Sequence, residues 1–205
     1  MPSQILPKFE GIAIEFTSKA LIIRFVRPEI RSPLSIFVLE RLNKILDETA
    51  KDDRIEKLIF TGKDEVFASG ADLREIAGIN EKTAKEFALR GQNLMNKIAI
   101  AKQLTIAAIN GFCFGGALDL ALACDKRIAS PNAQFCHPGV GLGIITGWSG
   151  TQRLPRLIGE AAALEMFLTA KRIDANEALR IGLIDAVSNN LLKDSIANFT
   201  PESSS

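Results

Sequence analysis

The hydrophobic positions change period several times along the chain. Residues 11–16 (GIAIEF) and 20–26 (ALIIRFV) are rich in Ile, Val and Phe and flank the polar Thr17, Ser18 and Lys19, which predicts a β-hairpin. After Pro28 and Pro33 the period lengthens. Phe37, Leu42, Ile45 and Leu46 are expected on one face of a helix within LSIFVLERLNKILDETAKDD. KLIF (57–60) reads as a buried strand ended by Thr61, Gly62, Lys63 and Asp64. Asn80 is a suitable N-cap for a second helix running through KTAKEFALRGQNLMNKIAIAK. The apolar runs TIAAI (105–109), KRIAS (126–130) and AQFC (133–136) follow as strands, with a glycine-containing turn and an apolar helix after the first. EAAALEMFLTA and DANEALRI are helical, and LIDAV (183–187) is a last short strand. Strands alternating with helices predict an α/β fold with much parallel sheet.

Composition narrows the function. The 205 residues are 47% hydrophobic, with a formal net charge of +1. With no dense Lys/Arg block there is no basic footprint for nucleic acid or an anionic membrane surface. Asp119 and Asp125 interrupt the most apolar stretch, so no bilayer span is expected, and MPSQILPKFEG lacks the pattern of a signal peptide. Cys113, Cys124 and Cys136 sit in apolar surroundings without CxxC spacing, which suits reduced thiols in a cytoplasm. His137 is the single histidine and there is no tyrosine, so acid–base groups are few and a histidine-based metal cluster is excluded.

Two glycine turns follow core strands, FASGADL (67–73) and GFCFGGALDL (111–120). Glycine permits close approach of backbone to a ligand, and a helix starting at Gly116 presents unsatisfied N–H groups. Two such groups aimed at one point would stabilise charge developing on a carbonyl oxygen. Either turn alone is also an ordinary strand-to-helix connection.

The turns belong to a longer pattern. FASGADLREI, IAAINGFCFGGALDLALACDKRIAS, AQFCHPGVGLGIITGWSGTQRLPRLIG and EALRIGLIDAV, in this order, resemble the enoyl-CoA hydratase/isomerase (crotonase) family over roughly residues 11–187. The resemblance implies a spiral of ββα turns, assembly as trimers or pairs of trimers, and acyl-CoA thioester substrates processed through an enolate. Coenzyme A is then part of the substrate and no separate cofactor is needed. Carried over by position, the oxyanion donors are the N–H groups of Ala71 and Gly116. Ala71, Asp72, Leu73 and Arg74 contact the adenine end through their backbone, and the Gly147 N–H helps to hold a catalytic water.

Asp119 stands where the family's hydratases carry their first catalytic glutamate. It lies three residues beyond Gly116, on the face near the oxyanion donors, and burial among Leu118, Leu120 and Leu122 would raise its pKa toward a useful range. Aspartate is shorter by about 1.5 Å. As a bare residue it also reads as a helix first-turn carboxylate. The second glutamate is replaced by Gly139, which places two-carboxylate hydration in doubt; in related synthases with glycine here a bound bicarbonate stands in. His137, at the family's glutamine position, is the alternative acid–base group or a structural imidazole. GWSGT fails the nucleophile-elbow motif at Thr151, and Cys136 and His137, adjacent on a strand, point apart. Trp148 is expected over the pocket or in the core, and Arg153 in a structural role.

The expected organisation is a crotonase-like core over residues 1–187 and a short, partly disordered tail over 188–205, where the family's C-terminal helical region is shortened, either because the protein is naturally short with a more open pocket or because the sequence is cut from a longer one. The function expected is isomerase- or hydratase-type chemistry on an acyl-CoA. The alternative is a weak or inactive acyl-CoA-binding homologue with a scaffold role.

Overall fold

The computed structural model describes residues 4–5 and 11–197. The strands are β1 (Gln4–Ile5), β2 (Ile12–Thr17), β3 (Ala20–Phe25), β4 (Lys57–Thr61), β5 (Val66–Ala68), β6 (Leu104–Ile109), β7 (Phe112–Phe114), β8 (Lys126–Ala129), β9 (Gln134–Cys136), β10 (Ile173–Asp174) and β11 (Ala186–Val187). The helices are α1 (Ile36–Thr49), α2 (Leu73–Ile76), α3 (Ala84–Ala99), α4 (Gly116–Ala123), α5 (Gly150–Ile158), α6 (Glu160–Thr169), α7 (Ala175–Arg180) and α8 (Leu191–Ala197).

A larger sheet has the order β1-β2-β3-β4-β6-β8-β11, and a smaller one the order β10-β9-β7-β5. The β2–β3 hairpin is antiparallel, and from β3 to β11 the larger sheet is parallel. The chain repeatedly places one strand in the large sheet, the next in the small sheet, then a helix: β4-β5-α3, β6-β7-α4, β8-β9-α5. This is the ββα spiral. Its parallel strands are buried on both faces, which is why TIAAI and KLIF read as continuous apolar runs.

The main core fills the space between the sheets and α1, α3 and α4, with Phe25, Phe60, Phe67 and Phe135 as its largest fully buried side chains. A second, smaller core of Ala20, Ile22, Ile59, Ile106, Ala108 and Ile128 lies on the outer face of the large sheet. Leu191, Leu192 and Ile196 of α8 pack against it. The stretch expected as a tail thus contributes a packed helix, while residues 198–205 lie outside the described residues.

Two element readings need correction. Phe37 is 48% exposed, and α1 buries Val38, Leu39, Leu42, Ile45 and Leu46 instead. Phe37 and Leu42 are five residues apart, about 140° around a helix, whereas Val38 and Leu42 are about 40° apart. The second helix begins at Ala84, not Asn80. Asn80 organises a preceding turn, accepting from the Lys82 N–H, while the Thr83 hydroxyl accepts from the Asn80 N–H.

Candidate active site

The two glycine turns pack directly against each other. Gly70 has φ +89°, and a Cβ there would lie 2.6 Å from the Gly116 nitrogen and 2.7 Å from the Phe114 carbonyl oxygen. No other residue type tolerates both the conformation and the approach. Gly115, with φ +54° and ψ −126°, turns the chain from β7 into α4, its N–H held by the Cys136 carbonyl. A Cβ on Gly116 would lie 3.4 Å from the Ala71 nitrogen, so the backbones at Ala71 and Gly116 face one small volume.

That volume opens into an apolar cavity of about 450 Å³. Ala71, Leu73, Gly116, His137, Gly139 and Gly147 all line it. Asp72 and Arg74 do not. They border a separate cleft of about 80 Å³ with Arg27, Ser32 and Phe37, where Arg74 pairs with Asp72 and holds its carboxyl below the usual range.

Trp148 forms one wall of the large cavity. It is buried between α3 and α4: a Cβ on Gly91 would meet its ring at 2.1 Å, and one on Gly116 at 2.4 Å. Phe87 packs at 5.6 Å between ring centroids. The tryptophan is therefore both core and cavity wall, and the two glycines make room for it.

Asp119 is fully buried and is not among the residues that line the cavity. Its Oδ2 accepts a hydrogen bond from the Thr146 hydroxyl. Oδ1 has no hydrogen-bond partner and lies 3.6 Å from His137 Nε2, and neither imidazole nitrogen has one. Burial raises the Asp119 carboxyl to about 7 against the pull of the Thr146 hydroxyl, of Arg153 and of the nearby Trp148 backbone N–H, and lowers His137 to about 4. Space for the carboxylate exists because position 150 is glycine; a Cβ there would sit 2.0 Å from Oδ1. Arg153 donates to Asn96 of α3, tying α5 down while placing positive charge near Asp119.

Gly139 leaves no opening for a missing acid. A Cβ there would meet the Ile144 carbonyl oxygen at 2.5 Å. An anion placed where that Cβ would lie would face the oxygen's negative end. Cys136 donates its thiol to the Ala170 carbonyl, and burial pushes its pKa up, opposite to what a nucleophile needs.

Thr146 and Gly150 escaped the sequence reading. Thr146 sits in an irregular segment without periodicity, and Gly150 matters through the space beside Asp119.

Residues 15–197 match the model of the enoyl-CoA hydratase/isomerase family. The chain belongs to this family. It is 36% identical to the short-chain-enoyl-CoA hydratase of Clostridium acetobutylicum, over 88% of this chain and 69% of that protein. It is 39% identical to the crotonyl-CoA hydratase of Syntrophomonas wolfei, over 87% and 69%. Among solved structures, the enoyl-CoA hydratase of Bacillus anthracis superposes with a TM-score of 0.86 at 37% identity, covering 91% of this chain and 74% of that one. The crotonase fold expected from the sequence is the fold observed. Among the described residues of this family member, no helix is long and apolar enough to cross a membrane, and no group of three or more His, Cys, Asp or Glu is placed to hold a metal ion.

Proposed function

We propose that the protein binds an acyl-CoA thioester in the 450 Å³ cavity and stabilises its enolate through the backbone N–H groups of Ala71 and Gly116. The observation that carries this reading is the convergence of those two turns at the wall of an apolar cavity. Fixed N–H dipoles in a water-poor site stabilise the negative charge that the thioester oxygen gains when an α-proton leaves. The Asp119–His137 pair handles that proton. A carboxyl held near neutrality suits both taking and returning it.

Double-bond isomerisation needs one proton-transfer group acting at two carbons. The space filled by the Ile144 carbonyl at Gly139 favours this chemistry over hydration between two carboxylates. A cytoplasmic location and a trimeric or hexameric assembly belong to the same proposal. Leu164 and Leu168 on α6, 57% and 62% exposed, are consistent with a covered surface.

A second reading is a CoA-ester-binding homologue that has lost its chemistry, favoured by the zero exposure of Asp119. Mass spectrometry of 3-hexenoyl-CoA and crotonyl-CoA incubated in D₂O separates the two. Deuterium at carbon supports the enolate reading, and water addition would restore hydratase activity to it. Binding with neither change leaves the second reading standing.

A further inference from the structure

Thr146 lies in the irregular segment between β9 and α5, lines the cavity, and gives its hydroxyl to Asp119 Oδ2. A threonine hydroxyl has one proton to donate. Once it is given to Oδ2, that oxygen is an acceptor, and a proton on the carboxyl belongs on Oδ1. Oδ1 is the oxygen without a hydrogen bond, facing His137 Nε2 across 3.6 Å.

We propose that Thr146 is the positioning residue of the acid–base pair: it distinguishes the two carboxyl oxygens of Asp119, so that Oδ1 and His137 Nε2 share one hydrogen in both states and the proton the pair gains or loses enters and leaves at Nδ1 of the cavity-lining imidazole. The proposal rests on the enolate reading above and deepens it by naming the atom at which the proton enters and leaves. With the proton on Oδ1, its O–H points toward a bare Nε2 and the neutral imidazole carries its hydrogen on Nδ1. With Asp119 ionised, the carboxylate at 3.6 Å favours a hydrogen on Nε2 instead. The His137 tautomer therefore follows the state of Asp119.

The surroundings leave few competing charges. From β7 comes Cys113, a buried thiol raised by desolvation and by Asp119 itself. From α5 comes Arg153, and α6 presents the Phe167 ring, 5.0 Å from the imidazole. The buried face of α3 offers Gly91, Leu94, Met95 and Ile98, none of them titratable.

Because His137 is the single histidine, ¹⁵N NMR of the histidine-labelled protein reads this site alone. The expected result is a switch from the Nδ1–H to the Nε2–H tautomer as pH rises through about 7, where Asp119 titrates. In Thr146→Val the switch moves upward by about one pH unit, because a hydrogen bond favouring the charged carboxylate is lost. Thr146→Ser restores it. Deuterium exchange at the α-carbon falls in kcat with KM little changed. A tautomer that ignores pH in the parent protein overturns the proposal. So does a Thr146→Val variant with intact near-ultraviolet circular dichroism and an unmoved switch. Should the valine variant not fold, Thr146→Ala takes its place in the same titration, with the same shift expected and an unmoved switch again overturning the proposal. Failure of the enolate reading appears separately, as absent exchange in the parent protein while the NMR switch persists.

Discussion

Asp119 Oδ1 and His137 Nε2 stand 3.6 Å apart in a buried site, each without a hydrogen bond. Burial drives the two groups in opposite directions, the acid up and the base down, so both favour their neutral forms.

Stability should reveal that opposition. Asp119 rises from 3.8 to about 7, so between these values the folded state holds a proton that the unfolded state has lost, and stability falls as pH rises. His137 drops from 6.5 to about 4, so in that window the unfolded state takes a proton that the folded state refuses, and stability falls as pH drops. The contributions largely cancel between pH 4 and 6.5 in the parent protein. In Asp119→Asn the histidine term is exposed and stability rises with pH across that window. In His137→Gln the carboxyl term is exposed and stability falls. Each slope reaches up to about 1.4 kcal/mol per pH unit. Urea titrations at several pH values check this, and parallel profiles for the two variants would refute it.

Asp119→Asn keeps the shape of the site and removes its proton. Deuterium incorporation at the α-carbon should drop by roughly 10²–10⁴-fold while CoA-ester binding by calorimetry is unchanged. Equal loss of binding and exchange would instead make Asp119 a structural support.

At position 139, restoring a glutamate should not create a hydratase. The new Cβ meets the Ile144 carbonyl oxygen, so Gly139→Glu is expected to cost about 1–3 kcal/mol and add no water to crotonyl-CoA. Removing and restoring bicarbonate should leave activity unchanged, since the space off Gly139 is occupied. Hydration gained by the variant, or activity that follows bicarbonate, would show that the 144–145 segment yields.

Two glycines near Trp148 should behave differently. Gly91→Ala drives a methyl into the indole and is expected to destabilise by about 1–3 kcal/mol, with altered tryptophan fluorescence. Gly147→Ala meets nothing closer than the Ala88 Cβ at 3.9 Å, so thermal unfolding should change by no more than about 0.5 kcal/mol.

Much of this protein was legible in its sequence because local forces decide it. The hairpin, the apolar parallel strands and the start of α4 at Gly116 follow from side-chain periodicity and from glycine at the turns. The ordered FASGADL and NGFCFGGALD blocks identified the family, and burial of Asp119 among leucines foretold its raised pKa. What the sequence left open depended on groups distant along the chain. Thr146 reaches Asp119 across 27 positions, and Gly150 makes the space beside it. The Ile144 carbonyl closes the place where a second acid would project, and Asp72 and Arg74 turn to a different cleft from Ala71 and Leu73. Periodicity says which face of an element is buried. It does not say which atoms meet there, and hydrogen bonding, desolvation and steric exclusion act at that range.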